Sequence, residues 1–318
     1  MRNKVLITPK SFGAYKDIAY PLIREKGYDI IENTLGRTMT EDEIIGCASS
    51  DVVGIIVGID PLSARVLEGC RQLRAVSKYG MGLDNIDLDK ARELKIKVDR
   101  AIGTNNVSVA ELAIGLMLSL ARSIPYVSHR VREGAWDRVM GCELFNKKLG
   151  LVGCGLIGRE VCKRALGLGM EILIYDPYIG DDDIFNNSNI KKCDNIDLLC
   201  RESDFISLHA PLTEETRRII NKDTLELMKP TAILINTSRG ELVDEDALYQ
   251  ALTENNIRGA AQDVFSREPP GEDEKLLKLD NFILTSHIGA YTKEAVEKMV
   301  AVSTKNLLRM LEDWESTQ

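Results

Sequence analysis

Residues 149–161 read LGLVGCGLIGREV, and this stretch decides the fold. Leu149, Gly150, Leu151 and Val152 are small or apolar, as a buried strand requires. Gly153-Cys154-Gly155-Leu156-Ile157-Gly158 then spells G-x-G-x-x-G, and a helical pattern runs from Arg159 to Leu168. Glycines so placed between strand and helix permit a tight turn, close approach of backbone to a pyrophosphate, and close helix–strand packing. The first helical turn offers unpaired N–H groups and the positive end of its dipole to the phosphates. The next strand pattern, Ile172 to Tyr175, ends at Asp176. A carboxylate there accepts ribose hydroxyls and repels a 2′-phosphate. Pro177 and Tyr178 follow it, not arginine, so NAD is favoured over NADP. The plainer alternative is a helix-capping aspartate.

Downstream, strand patterns at 149–153, 172–176, 205–209, 232–237, 259–264 and 282–286 alternate with helical ones at 158–168, 195–202, 221–228, 244–254 and roughly 273–278. Six strands after a glycine fingerprint match a Rossmann domain. Upstream, strand patterns at Val5–Thr8, Tyr28–Ile31, Val52–Val57, Leu73–Ser77 and Ile96–Val98 alternate with helices near 15–26, 41–48 and 62–69. No phosphate-binding glycine fingerprint lies among them.

The stretch Thr104-Asn105-Asn106 leads into Ser108-Val109-Ala110-Glu111, with capping-box spacing. The helix that follows, 105–122, is apolar on nearly every face and is expected to be buried between domains or between subunits. Residues 126–147, with Trp136 and Phe145, read as an irregular arm. A last amphipathic pattern, Thr292 to Trp314, has no strand after it and is expected to complete the first unit. The expected fold is thus α/β, with two doubly wound parallel-sheet domains. One is a flavodoxin-like substrate domain, 1–100 plus 292–318; the other is a Rossmann NAD-binding domain, 101–291.

A chain of 318 residues with 44% hydrophobic and 28% charged residues is globular in composition. A net charge of -8 argues against a nucleic-acid partner. Seven cysteines, an odd number without C-x-x-C, form neither a metal nor a disulfide framework, and a cytoplasmic location is expected. The N-terminus has no signal-peptide pattern, and the apolar run Val107–Leu120 is too short and too polar to span a membrane.

Hydride transfer from an alcohol needs a general base working near neutral pH, usually histidine. The chain has three. His129 lies in the arm beside Arg130. His209 and His287 both end strands, where ligands bind in such sheets; position separates them only slightly. Arg239 follows another strand, and its planar guanidinium suits a carboxylate. Asp263 and Glu268 follow the next, and a glutamate beside a histidine orients its ring and raises its pKa. A surface ion-pair role competes for each residue singly.

Seven motifs carry a resemblance: KYGMGLDNIDL (78–88), NNVSVAELAIGLML (105–118), LGLVGCGLIG (149–158), SLHAPLTEETRRIIN (207–221), INTSRGELVDEDAL (235–248), DVFSREPP (263–270) and SHIGAYTKEA (286–295). Together they span nearly the whole chain, which resembles the D-isomer-specific 2-hydroxyacid dehydrogenases, most of all their phosphoglycerate dehydrogenase branch. The resemblance implies that Arg239 binds the substrate carboxylate and carbonyl, that His287 is the acid/base and that Glu268 is its partner. It places Gly153, Gly155, Leu156, Ile157, Gly158, Asp176, His209, Ala210, Pro211, Thr237, Ser238, Asp263, Gly289 and Ala290 around NAD. It places Lys78, Tyr79, Gly80, Met81, Gly82 and Asn105 at the substrate, with backbone N–H groups of 80–82 meeting its carboxylate. It further implies a homodimer built on helix 105–122 and the arm, an active site in the cleft between domains, and no metal.

Two positions depart from that branch. Gly58 follows Ile55-Ile56-Val57 where an arginine is frequent, and Lys78 stands where another arginine precedes the glycine turn. A phosphate subsite would therefore rest on Lys78. The C-terminal regulatory domain of longer members, with its serine feedback, is not expected. The alternatives are a glyoxylate, hydroxypyruvate or phosphonate 2-oxo-acid reductase, and a non-enzymatic NAD-sensing protein like the family's corepressor relatives.

Overall fold

Contacts divide the chain into two units, Met1–Asn105 with Ala290–Gln318, and Asn106–Gly289. The structure is a computed structural model and describes residues 2–48, 50–180 and 182–316.

In the first unit, β1 (Lys4–Ile7), α1 (Lys16–Glu25), β2 (Asp29–Glu32), α2 (Glu41–Ala48), β3 (Val52–Val57), α3 (Ala64–Gly69), β4 (Ala75–Lys78), α4 (Leu88–Glu93) and β5 (Lys97–Arg100) follow one another. All pairings are parallel, in the order β2-β1-β3-β4-β5, which is flavodoxin-like. Every residue of β3 (VVGIIV) is buried, because helices cover both faces of a parallel sheet. Side chains alternate between the faces: Val5 and Ile7 join one core cluster and Leu6 the other.

The second unit opens with α5 (Asn106–Ala121) and α6 (Ile124–Arg132). It continues as β6 (Lys148–Val152), α7 (Leu156–Gly167), β7 (Glu171–Tyr175), β8 (Ile190–Lys192), α8 (Ile196–Glu202), β9 (Phe205–Leu208), α9 (Lys222–Leu227), β10 (Ile233–Asn236), α10 (Glu245–Thr253), β11 (Gly259–Gln262) and β12 (Phe282–Leu284). Its parallel order is β12-β11-β10-β9-β6-β7-β8, a Rossmann sheet extended by one strand. The direction of winding reverses between β6 and β9, and ligands bind beyond the carboxyl ends of strands at such a switch point. The glycine loop leaves β6 there, and His209 leaves β9.

The last helix, α11 (Lys293–Glu315), returns to the first unit. Its buried residues include Val296, Met299, Val300, Leu307, Leu308 and Leu311, a stripe at helical spacing that packs on Val5, Ile7, Val53 and Ile56. Full burial of each such side chain contributes roughly 1.5–3 kcal/mol.

Four expectations are corrected. The strand β8 reads IKK and has no apolar run to announce it. Part of the supposedly irregular arm is α6, with Pro125 in its first turn. Only a 3-10 turn, Leu276–Lys278, forms where a helix was read. Ser108 lies inside α5, and its hydroxyl donates to Gly289 O at 2.6 Å, so it does not cap. On α5, Val107 and Leu118 are exposed in the single chain, where the expected burial between subunits would cover them. At the domain edges, 101–105 and 290–291 fall in the first unit, where the Ala101 N–H donates to Lys78 O and Gly80 O. Among the described residues no single helix is long and apolar enough to cross a membrane.

Candidate active site

The glycine loop has the shape its sequence demands. Gly153 has φ +91, and a Cβ there would sit 2.8 Å from the Ala210 backbone N. A Cβ on Gly158 would meet Gly153 O at 2.4 Å, so α7 packs against the loop as only glycine allows. Above Gly155 the space is open. Gly155 caps α7 without a side-chain hydrogen bond, and no acidic residue occupies the first turn. Its amide groups are thus available to phosphate oxygens, with Leu156 exposed and Ile157 packed on the core. This cradle fits a dinucleotide pyrophosphate. Burial pushes the Cys154 thiol up to about 11, which leaves it unreactive within the loop.

Asp176 ends β7 as expected, yet its carboxylate already serves the backbone: Oδ2 accepts Cys154 N–H at 2.8 Å and Oδ1 accepts Tyr178 N–H at 2.9 Å. Each oxygen keeps a lone pair for a ribose hydroxyl. No helix starts at Asp176, so it caps none; its backbone bonds brace the glycine loop and the following turn and are compatible with a ribose contact.

His209 and His287 differ in surroundings. The His209 ring is hydrogen-bonded to Ser207 Oγ at 2.8 Å, and burial pushes its pKa down to about 4. It stays neutral at physiological pH, beside the glycine loop. His287 stands in the left-handed region (φ 56), and its Nδ1–H donates to Glu268 Oε2 at 2.7 Å, leaving Nε2 for proton exchange. The two side chains are 38% and 30% exposed, so a small molecule can reach them. Burial pushes the Glu268 carboxyl up, but the His287 ring, the Phe265 amide and the nearby Arg239 guanidinium outweigh it and hold it below the ordinary carboxylate value. His129 lies apart, exposed on α6 against Glu133.

Arg239, Glu268 and His287 leave the carboxyl ends of β10, β11 and β12, which neighbour one another in the sheet. Arg239 follows a turn that Asn236 shapes: its buried side chain accepts Ser238 N–H at 3.0 Å and donates to Arg239 O at 2.8 Å. The Ser238 hydroxyl donates to Ala210 O at 2.7 Å, and Pro211 O accepts the Thr216 hydroxyl at 2.7 Å. The Thr237 hydroxyl is buried without a hydrogen-bond partner, a group suited to a bound ligand. Gly240 packs so close to the next turn that a Cβ would lie 2.1 Å from Phe265 C. Neither Asn236 nor Gly240 was singled out from the sequence; nothing local marks them, since their partners lie elsewhere in the fold.

Asp263, expected at the nicotinamide end, also serves the backbone. Its buried carboxylate accepts the Thr285 hydroxyl at 2.6 Å and the Ile288 and Gly289 amides at 2.9 and 2.7 Å. It anchors the loop that carries His287. Ala290, expected at the cofactor, packs against the core of the first unit.

In the first unit, Lys78 is buried, and its Nζ donates to Gly58 O and Asn85 Oδ1. The ammonium on which a phosphate subsite would rest thus ties β4 to the loop after β3. Tyr79 Oη is hydrogen-bonded to Ser11 Oγ, Gly80 has φ +135, and Met81 O accepts from Arg100, which shapes the turn that ends at Gly82. Asn105 is buried, with Oδ1 unpartnered. Among the described residues no cluster of His, Cys, Asp or Glu could hold a metal ion.

The NAD-binding domain of the D-isomer specific 2-hydroxyacid dehydrogenases matches residues 114–289. The D-3-phosphoglycerate dehydrogenase of Methanocaldococcus jannaschii is 43% identical over 286 residues, 88% of this chain and 54% of that protein. The chain therefore spans about half the length of that relative. The hydroxypyruvate reductase of Thermotoga maritima is 43% identical over 265 residues, 82% of this chain and 85% of that one. The crystal structure of D-lactate dehydrogenase from Aquifex aeolicus complexed with NAD and lactic acid matches with a TM-score of 0.84 at 29% identity, covering 98% of this chain and 97% of its own. With its Rossmann sheet and glycine cradle, the chain belongs to the D-isomer specific 2-hydroxyacid dehydrogenase family and carries that family's NAD-binding domain.

Proposed function

We propose that the chain catalyses reversible, NAD-dependent oxidation of a small D-2-hydroxy acid to the 2-oxo acid. The contact of His287 Nδ1 with Glu268 Oε2 at 2.7 Å carries this reading. In the oxidative direction His287 Nε2 takes the hydroxyl proton while the C2 hydrogen departs with its electron pair. The nicotinamide, when bound, supplies the hydride acceptor. Glu268 stabilises the imidazolium that forms, and Arg239 holds the carboxylate and the developing carbonyl. Asp176 and the glycine loop hold the adenosine half, and Asp176 disfavours a 2′-phosphate.

Two relatives are named for 3-phosphoglycerate and for hydroxypyruvate. The ammonium of Lys78 is engaged by Gly58 and Asn85, which favours an unphosphorylated substrate such as hydroxypyruvate or glyoxylate. NADH oxidation against 3-phosphohydroxypyruvate, hydroxypyruvate, glyoxylate, pyruvate and a phosphonate analogue tests this. The expected result is turnover with the highest kcat/KM on an unphosphorylated acid. A preference for 3-phosphohydroxypyruvate would reject that substrate class, and no turnover on any of them would reject the dehydrogenase.

We further infer a homodimer. No residue of α6 is buried, and Trp136 and Met140 are 82% and 88% exposed in the single chain. Apolar surface of that extent calls for a partner, and a second copy is the simplest one. The seven free cysteines fit a reducing cytoplasm.

A further inference from the structure

We infer that Glu245 is a positioning residue of this site, one that fixes the turn carrying Glu268 through Ser266; the inference rests on the reading of Glu268 and His287 given above. Glu245 opens α10, but Asp244 already caps that helix by accepting Ala247 N–H at 3.2 Å. The Glu245 carboxylate turns elsewhere. Its Oε1 accepts Ser266 N–H at 2.8 Å, and its Oε2 accepts the Ser266 hydroxyl at 2.5 Å.

Ser266 stands between the two ends of a short turn. On one side the Phe265 N–H donates to Glu268 Oε1 at 3.0 Å; on the other Glu268 reaches His287 with Oε2. From behind, Gly240 presses on the Phe265–Ser266 peptide, where a Cβ would lie 2.2 Å from Ser266 N. Residues 265–268 are thus held between the backbone of Gly240 and the carboxylate of Glu245. Both holding groups belong to the segment that begins with Arg239. One stretch, 239–245, therefore presents the arginine and sets the turn from which Glu268 meets His287.

A carboxylate at the start of a helix is ordinarily explained by the helix dipole. That explanation requires no contact with Ser266. Burial pushes the Glu245 carboxyl up, and Glu274 and Glu241 add to the effect against the two Ser266 hydrogen bonds. The net effect holds it above the ordinary carboxylate value, and the hydrogen bonds that oppose this shift are the two from Ser266.

The test compares Glu245→Ala, Glu245→Gln and Ser266→Ala with wild type in the full chain. The chain holds three histidines, His129, His209 and His287, so the ring resonances of protein labelled with 15N-histidine can be assigned by single substitutions. In Glu245→Ala the His287 resonances are expected to move while those of His129 and His209 stay. The kcat on the best 2-oxo acid is expected to fall roughly 10- to 100-fold, with NADH affinity within about twofold, because a small misplacement of the acid/base group costs rate more than binding. Glu245→Gln, which keeps an acceptor for Ser266 N–H, restores both readouts. Ser266→Ala, at an exposed residue, shifts both in the same direction by less and serves if Glu245→Ala does not fold. Unmoved His287 resonances with wild-type kcat in the alanine variants would overturn the inference. Moved His287 resonances in a protein that turns over no 2-oxo acid would support the positioning role and overturn the dehydrogenase reading.

Discussion

The Gly289 amide donates to the Asp263 carboxylate at 2.7 Å, and this contact ties the end of β11 to the loop that carries His287. The same carboxylate takes the Ile288 amide, and the Asp263 carbonyl accepts the His287 N–H at 2.8 Å. His287 holds its left-handed backbone (φ 56) because both sides of it are pinned to one buried residue.

Asp263→Asn tests this anchoring. An amide fills the same volume but turns an N–H2 group toward backbone donors, at about 1–3 kcal/mol for each donor left unsatisfied. The amides of Ile288 and Gly289 are expected to lose protection in hydrogen exchange, with turnover falling in step. Full protection in the variant would show that the loop stands without the carboxylate.

Asp176→Ala is expected to raise affinity for NADPH relative to NADH, read by fluorescence titration of both. It also removes the acceptor for Cys154 N–H, so NADH itself binds more weakly. An unchanged ratio of the two affinities would end the assignment of Asp176 to the ribose.

His209 makes the second unit sensitive to acid. Its pKa is pushed down to about 4 by burial, below the unfolded value of about 6.5. Between those limits the unfolded chain holds the extra proton, so stability is complete above about pH 6.5 and is lost as the pH falls. The loss contributed by this group reaches about 2 kcal/mol by pH 5. Urea unfolding at pH 7 and pH 5 is expected to register that difference in wild type and to lose it in His209→Gln. An equal loss in the variant would assign the acid sensitivity to other groups.

What the sequence conveyed was what is local. The glycines of 153–158 and the alternation of strands and helices depend on near neighbours, so the two sheets and the strand-end residues were legible. Where a polar side chain spends its hydrogen bonds was not. Lys78 meets Gly58 and Asp263 meets the loop at 285–289, each settled by packing between segments far apart in the chain. Gly240 and Glu245 were hidden for the same reason, since a close approach to Phe265 and Ser266 has no mark within 239–245. The helix α6 was overlooked despite a readable signal, Pro125 at its start.

If His287, held by Glu268, is the acid/base of a hydride transfer, removing its imidazole must stop the chemistry and spare the cofactor. The direct measurement is kcat for NADH-dependent reduction of the best 2-oxo acid by wild type and His287→Gln, with NADH affinity measured in parallel. Loss of about 100- to 10,000-fold in kcat, with NADH binding retained, is the expected result. Turnover by His287→Gln within a few-fold of wild type would show that His287 is not the acid/base.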